Sequence, residues 1–136
     1  MQPETAHDFL KAARQRLDAA EAKFELLRIN LEAQYIGGYS VECALKALIL
    51  EKTSLADRGL VREKLTQGAS SHKKEVLLGH LRDLGVNLPL DLAKRMRRFE
   101  WTTDLRYETG RLDTGETRAL IETANRIYSW VEGQMT

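Results

Sequence analysis

Within the apolar run GGYSVECALKALIL, residues 37–50, only Glu42 and Lys46 carry charge. A helix turns about 100° per residue, so Tyr35, Tyr39, Glu42 and Lys46 fall within about 60° of one another. They form a polar, aromatic stripe on an otherwise apolar helix. Burying a lone charge is costly, so each charge needs a partner or water. Two readings follow. The stripe is the wet side of the helix, with Lys46 reaching solvent by its stem. Otherwise Glu42 and Lys46 belong to an ion-pair network beneath a groove, glutamate four residues before lysine being the better order.

Three other groups have chemistry to offer. Lys94-Arg95-Met96-Arg97-Arg98 is the densest basic run. Lys94 and Arg98 share a helix face, and Trp101 follows near that stripe, so phosphates could be held while a base stacks. Without a ligand, the same run is a solvated helix face. Arg106-Tyr107 stands at a helix end. Its guanidinium suits a phosphate or a carboxylate, and an inward Arg106 would pin its helix to Glu42. His72 and His80 lie about two helical turns apart, and a histidine could take a 2′-hydroxyl proton. That spacing exceeds a one-turn chelating pair, so it gives no metal site, and surface polarity is the plainer reading. Cys43, the single cysteine, sits in an apolar run and reads as a small buried hydrophobe. The chain shows no glycine-rich phosphate loop, nucleophile elbow or zinc-type cysteine set, and no cofactor is expected.

The elements that must position these groups are helical. With only two prolines, Pro3 and Pro89, nearly everything between can be helix. Leu10, Ala13, Leu17, Ala20, Phe24, Leu27 and Leu31 recur every three or four residues, predicting a first helix from about Thr5 to Asn30. After a break near Asn30, a second helix reaches about Thr53. Its apolar residues surround the axis, as expected of a central helix. Gly37 and Gly38 imply either a close backbone approach or a kink. Ser54 with Asp57 can cap a short helix. Ser71 can cap another, with Val76, Leu77, Leu81 and Leu84 facing inward and Gly85 ending it. A helix after Pro89 uses Leu92, Met96 and Phe99 and extends to about Arg106. Asp113 with Glu116 can open the last helix, which carries Leu120, Ile121, Ala124, Ile127, Tyr128 and Val131. No alternating β-branched run predicts a sheet. The expected fold is all-α, an up-and-down bundle of four to five helices forming a single domain over residues 1–136.

Composition narrows the function classes. The 136 residues are 43% hydrophobic and 30% charged, with 21 basic and 20 acidic side chains and a net charge of +1. The signs balance in both halves, so a nucleic-acid surface has to be local. The start MQPETAHDF is polar and acidic rather than signal-like. No apolar run is long enough to span a bilayer. A cytoplasmic protein with no membrane partner is expected.

Tyr39, Val41-Glu42 and Leu45-Lys46-Ala47-Leu48 resemble the second helix of the HEPN family. The likeness extends upstream through Ala13, Leu17 and Ala20. Downstream it runs through the histidine-bearing helix leading to Leu84-Gly85, and on to Leu105-Arg106-Tyr107. The resemblance implies a four- or five-helix bundle, a homodimer, and RNA or a nucleotide as ligand. It also implies a nucleotidyltransferase partner in a toxin–antitoxin or defence-type system. Glu42, Lys46, Arg106 and Tyr107 become the candidate site, with Lys94 and Arg98 as a looser phosphate surface. Catalytic members are metal-independent ribonucleases that use an arginine followed, four to six residues on, by histidine. None of His7, His72 and His80 has an arginine at that spacing. The expectation is therefore a non-catalytic binder. A ribonuclease toxin using His72 or His80, and a purely structural interaction module, are the alternatives.

Overall fold

The computed structural model describes residues 3–26, 29–67, 73–99 and 114–135. Among these, six helices and no strand are present. They are α1 (Ala6–Glu25), α2 (Asn30–Lys52), α3 (Arg58–Thr66), α4 (Lys74–Asp83), α5 (Leu90–Arg97) and α6 (Thr114–Gln134). The all-helical bundle agrees with expectation, but six helices replace the expected four to five. Between α2 and α6 the described residues make three helices of eight to ten residues.

Each boundary has a local cause. Thr5 and Asp8 open α1 reciprocally: Thr5 Oγ1 accepts from the Asp8 N–H at 3.1 Å, and Asp8 Oδ2 accepts from the Thr5 N–H at 3.2 Å. α1 stops at Glu25, short of the expected Asn30, and Leu26 beyond it is exposed. Ser54 donates to the Asp57 carboxylate rather than capping a helix, and α3 begins after Asp57. Arg58 folds back to donate to the carbonyls of Thr53 and Glu51, fastening α3 to the end of α2. α4 ends at a left-handed Gly85 with φ +81°, a conformation that only glycine adopts readily. α5 ends at Arg97, short of the expected Arg106. The expected caps at Ser71 and Asp113 lie outside the described residues.

Contacts along the helices give the topology. Ser40 Oγ donates to the Ala13 carbonyl, and Lys23 pairs with Glu32, so α1 and α2 run antiparallel. Asn30 meets Thr114, Gln34 meets Thr117, and Gly37 faces Leu120, so α2 and α6 run parallel. Asn125 donates to Glu21, and Arg118 lies over Phe24, so α6 runs antiparallel to α1. Parallel neighbours need a long return of the chain between them, and α3, α4 and α5 lie on that return.

α2 is the hub. It packs on α1, α6, α4 and α3, and every residue from Ser40 to Leu50 is buried. An all-round apolar surface of this kind requires neighbours on several sides. Leu17 and Phe24 from α1, Leu120 and Ile127 from α6, and Leu77 and Leu81 from α4 are at most 2% exposed. Met96 from α5 and Leu65 from α3 join the same core. Of the residues expected to face inward, Val76 is instead exposed, while Leu10 and Leu84 are half-buried against the core. At Gly37 the close neighbours are side chains rather than the expected backbone. α2 continues through it, and a Cβ there would sit 3.0 Å from Leu120 Cδ2 and 3.9 Å from Ala20 Cβ.

Gly37→Val should therefore overpack the junction of α1, α2 and α6 and destabilise the chain by about 1–3 kcal/mol in urea denaturation. Gly59→Ala on α3, where a Cβ meets nothing within 4 Å, should be neutral or stabilising by up to about 1 kcal/mol.

Candidate functional site

α2 carries Glu42 and Lys46 into the core because its charged residues share the helix with apolar ones on every other side. The wet-face reading fails. Their side chains are only 6% and 5% exposed, and Lys46 Nζ donates to Glu42 Oε2 at 2.9 Å. The network reading gains a member that sequence reasoning missed. Lys74, from the first turn of α4, places Nζ 3.9 Å from the other carboxylate oxygen, with its side chain 10% exposed. One carboxylate thus lies between two ammonium groups contributed by two helices. The Lys73-Lys74 pair precedes an amphipathic run and reads as solvated, so nothing in its local pattern signals burial.

The electrostatics follow from this burial. The Lys74 ammonium is held below the usual lysine range, first by desolvation and then by the Lys46 charge, while Glu42 opposes both. The Cys43 thiol is pushed up by burial, with Glu42 adding to the rise and Arg16, Lys46 and Lys74 opposing it. Cys43 is thereby kept a thiol at neutral pH, in line with a buried hydrophobe rather than a nucleophile. Among the described residues, no buried side-chain nitrogen or oxygen lacks a hydrogen-bond partner.

The aromatic part of the stripe leads from this network toward the surface. Tyr35 and Tyr39 are half-buried and meet edge to face, with centroids 5.2 Å apart and planes at 76°. The Arg16 guanidinium of α1 lies over the Tyr39 ring at 5.9 Å. Arg16 was not among the expected residues. Only the antiparallel packing of α1 on α2 brings it there.

The cations of α5 are arranged differently. Leu92 and Met96 anchor the helix inward, leaving Lys94, Arg97 and Arg98 exposed and Arg95 half-buried. Lys94 lies within α5, whereas Arg98 is the residue that ends it. Trp101, Arg106, Tyr107 and His72 lie outside the described residues. His80 is half-buried on α4, and His7 is exposed on α1. Among the described residues, no group of three or more histidine, cysteine or acidic side chains could hold a metal ion. Among the described residues, none of the expected site residues lines the open depression on α6 formed by Glu122, Asn125, Arg126 and Ser129. No helix among the described residues is long and apolar enough to cross a membrane.

Removing one member of a buried network leaves the others desolvated without compensation. Glu42→Gln should cost about 3–5 kcal/mol in chemical denaturation. Asp18→Asn, at the exposed Arg14–Asp18 pair, should cost at most about 1 kcal/mol. The folded-state pKa of Lys74 lies below its ordinary 10.5, chiefly because burial disfavours the ammonium. The unfolded chain then binds that proton more tightly. Wild-type stability should gain from this group as pH rises through the folded pKa toward 10.5. Denaturation at several pH values should show this gain in wild type and not in Lys74→Met.

Comparison with known proteins gives one positive result. No curated protein and no solved structure matches the chain. The family model of the HEPN domain matches residues 6–134, an interval that runs from the first residue of α1 to the last of α6. It contains the buried Glu42–Lys46 pair, Lys74 and the basic α5 helix. The chain belongs to the HEPN domain family.

Proposed function

We propose that this HEPN-domain protein binds the phosphates of RNA or a nucleotide without cleaving them. The observation that carries this reading is the arrangement of α5. Its apolar residues Leu92 and Met96 are spent on the core, while Lys94 and Arg97 stand exposed on a helix of eight residues and Arg98 stands exposed at its C-terminal cap. Closely spaced cations on one rigid element are what a phosphate backbone attracts, and the near-neutral total charge means the attraction has to be local. Arg106 and Tyr107 follow α5 in the chain and add a guanidinium and an aromatic ring to the same reading, as the family likeness suggests. Glu42, Lys46 and Lys74 lie apart from this surface and join α4 to α2 within the core.

Cleavage is not part of the proposal. The arginine–histidine spacing of catalytic family members is missing from the sequence. Metal-independent cleavage needs a base and a cation converging on one phosphate. The described histidines, His7 and His80, stand on separate helices. Family membership also supports a cytoplasmic homodimer working with a nucleotidyltransferase in a toxin–antitoxin or defence-type system.

Fluorescence anisotropy with labelled single-stranded RNA and with an ATP analogue tests the binding reading. Wild type should bind one of them at low salt and leave the RNA intact. The Lys94→Ala, Arg98→Ala double variant should lose about tenfold in affinity, and its salt dependence should flatten by about 1.4 in log–log slope, two phosphate contacts at about 0.7 each. Wild type that binds neither probe at low salt would remove the ligand reading. RNA cleavage that disappears in His80→Ala would restore the ribonuclease.

A further inference from the structure

The stripe on α2 divides at its middle. Its inner half, Glu42 and Lys46, is buried, with the two side chains held together at 2.9 Å. Its outer half, Tyr35 and Tyr39, stays half-buried. Among the described residues, the apolar core takes in Tyr128 of α6 but neither of these rings. Core packing therefore gives no account of two large aromatic side chains one turn apart on the hub helix. They hold each other in place, with centroids 5.2 Å apart and planes at 76°. An edge-to-face contact of this kind occupies at most one face of one ring.

Arg16 reaches Tyr39 from the neighbouring helix. Its side chain is exposed, and its guanidinium carbon stands 5.9 Å from the ring centroid. That is the outer limit, about 6 Å, at which a ring attracts a cation. Two residues away, Arg14 is tied to Asp18 at 2.6 Å. Among the described residues, no carboxylate pairs with Arg16 in the same way. A flat cation held loosely over a half-buried ring occupies the place that a nucleobase takes when it stacks. Its long stem lets it turn aside, and the guanidinium fork then suits a phosphate.

We infer that Tyr39, braced by Tyr35, and Arg16 form a subsite for one nucleotide of a single RNA strand, the base stacking on Tyr39 in place of the guanidinium and Arg16 turning outward to the adjoining phosphate. An aromatic face beside a cation that no carboxylate neutralises is how single strands are held: the ring accepts any base and the cation takes the backbone. The subsite stands on α1 and α2, which pack along one another and keep ring and cation at a fixed separation. It rests on the reading that the chain binds RNA, and it adds to the phosphate contacts of α5 a contact with the base. Stacking is tolerant of base identity, so the presence of a base matters here more than its kind.

Anisotropy titrations of the whole chain with labelled oligouridylate, and with an abasic strand of the same length and charge, test this. Wild type should prefer the oligouridylate at least about fivefold, the lower bound for one stacked base at about 1 kcal/mol. Tyr39→Leu should lose that preference and keep the salt slope, while Tyr39→Phe should retain both. Arg16→Gln should weaken binding of both strands and flatten the slope by about 0.7, one phosphate contact. Equal affinity of wild type for the two strands would overturn the inference. So would a preference that survives in Tyr39→Leu, or an unchanged slope in Arg16→Gln. If either happens while the Lys94→Ala, Arg98→Ala variant still loses affinity, the α5 reading stands and only this subsite falls. Wild type that binds neither strand ends both. Should Tyr39→Leu fail to fold, photo-cross-linking of wild type to RNA carrying 4-thiouridine decides: attachment is expected on the peptide that contains Tyr39, and attachment confined to other peptides would refute the subsite.

Discussion

A carboxylate cannot be taken into an apolar core unless cations go with it, and around Glu42 that requirement organises the molecule. The carboxylate reaches Lys46 on its own helix and Lys74 on another. The first contact is local to α2. The second joins α4 to α2, so the placement of a short helix is coupled to the charge balance of the hub. Buried ion pairs are weak evidence of net stabilisation, because desolvation offsets the attraction. They do constrain arrangement, since a displaced α4 would leave the Glu42–Lys46 pair short of a neighbour.

Around that pair the rest of the core is apolar and tightly apposed. α2 is covered by α1 on one side and α6 on another, and Gly37 permits α6 to approach through Leu120. Polar contacts at the rim fix the register without adding charge to the core: Gln34 to Thr117, and Ser40 to the Ala13 carbonyl. The parallel relation of α2 and α6 follows from this register, and it obliges the chain to return through three short helices. Those short helices carry what the long ones do not. α4 brings the second lysine to Glu42, and α5 presents exposed cations.

The two sets of cations differ in kind. Lys46 and Lys74 are desolvated and stand beside Glu42 within the core. Lys94, Arg97 and Arg98 face water. A solvated cation can exchange its counterions for a phosphate chain, whereas a buried one has first to give up its carboxylate. The proposed ligand surface is therefore placed on α5.

The amino-acid pattern by itself determined the helical class, the all-round burial of α2, the inward stripes of α1 and α6 and the stop at Gly85; it allowed the pairing of Glu42 with Lys46 as one of two readings. Each of these rests on periodicity or on residues within about a turn of one another. Tertiary structure alone decided that the pair is buried rather than wet, that α2 and α6 run parallel, and that Lys74 and Arg16 belong beside the stripe. It also ended α1 at Glu25 and α5 at Arg97. Lys74 stands 32 positions from Glu42 in the chain, and no local rule relates them. A lysine beside an amphipathic run reads as solvated until the fold lays that run against the helix that carries the acid. Burial is a property of the whole packing, whereas helix formation is largely a property of near neighbours.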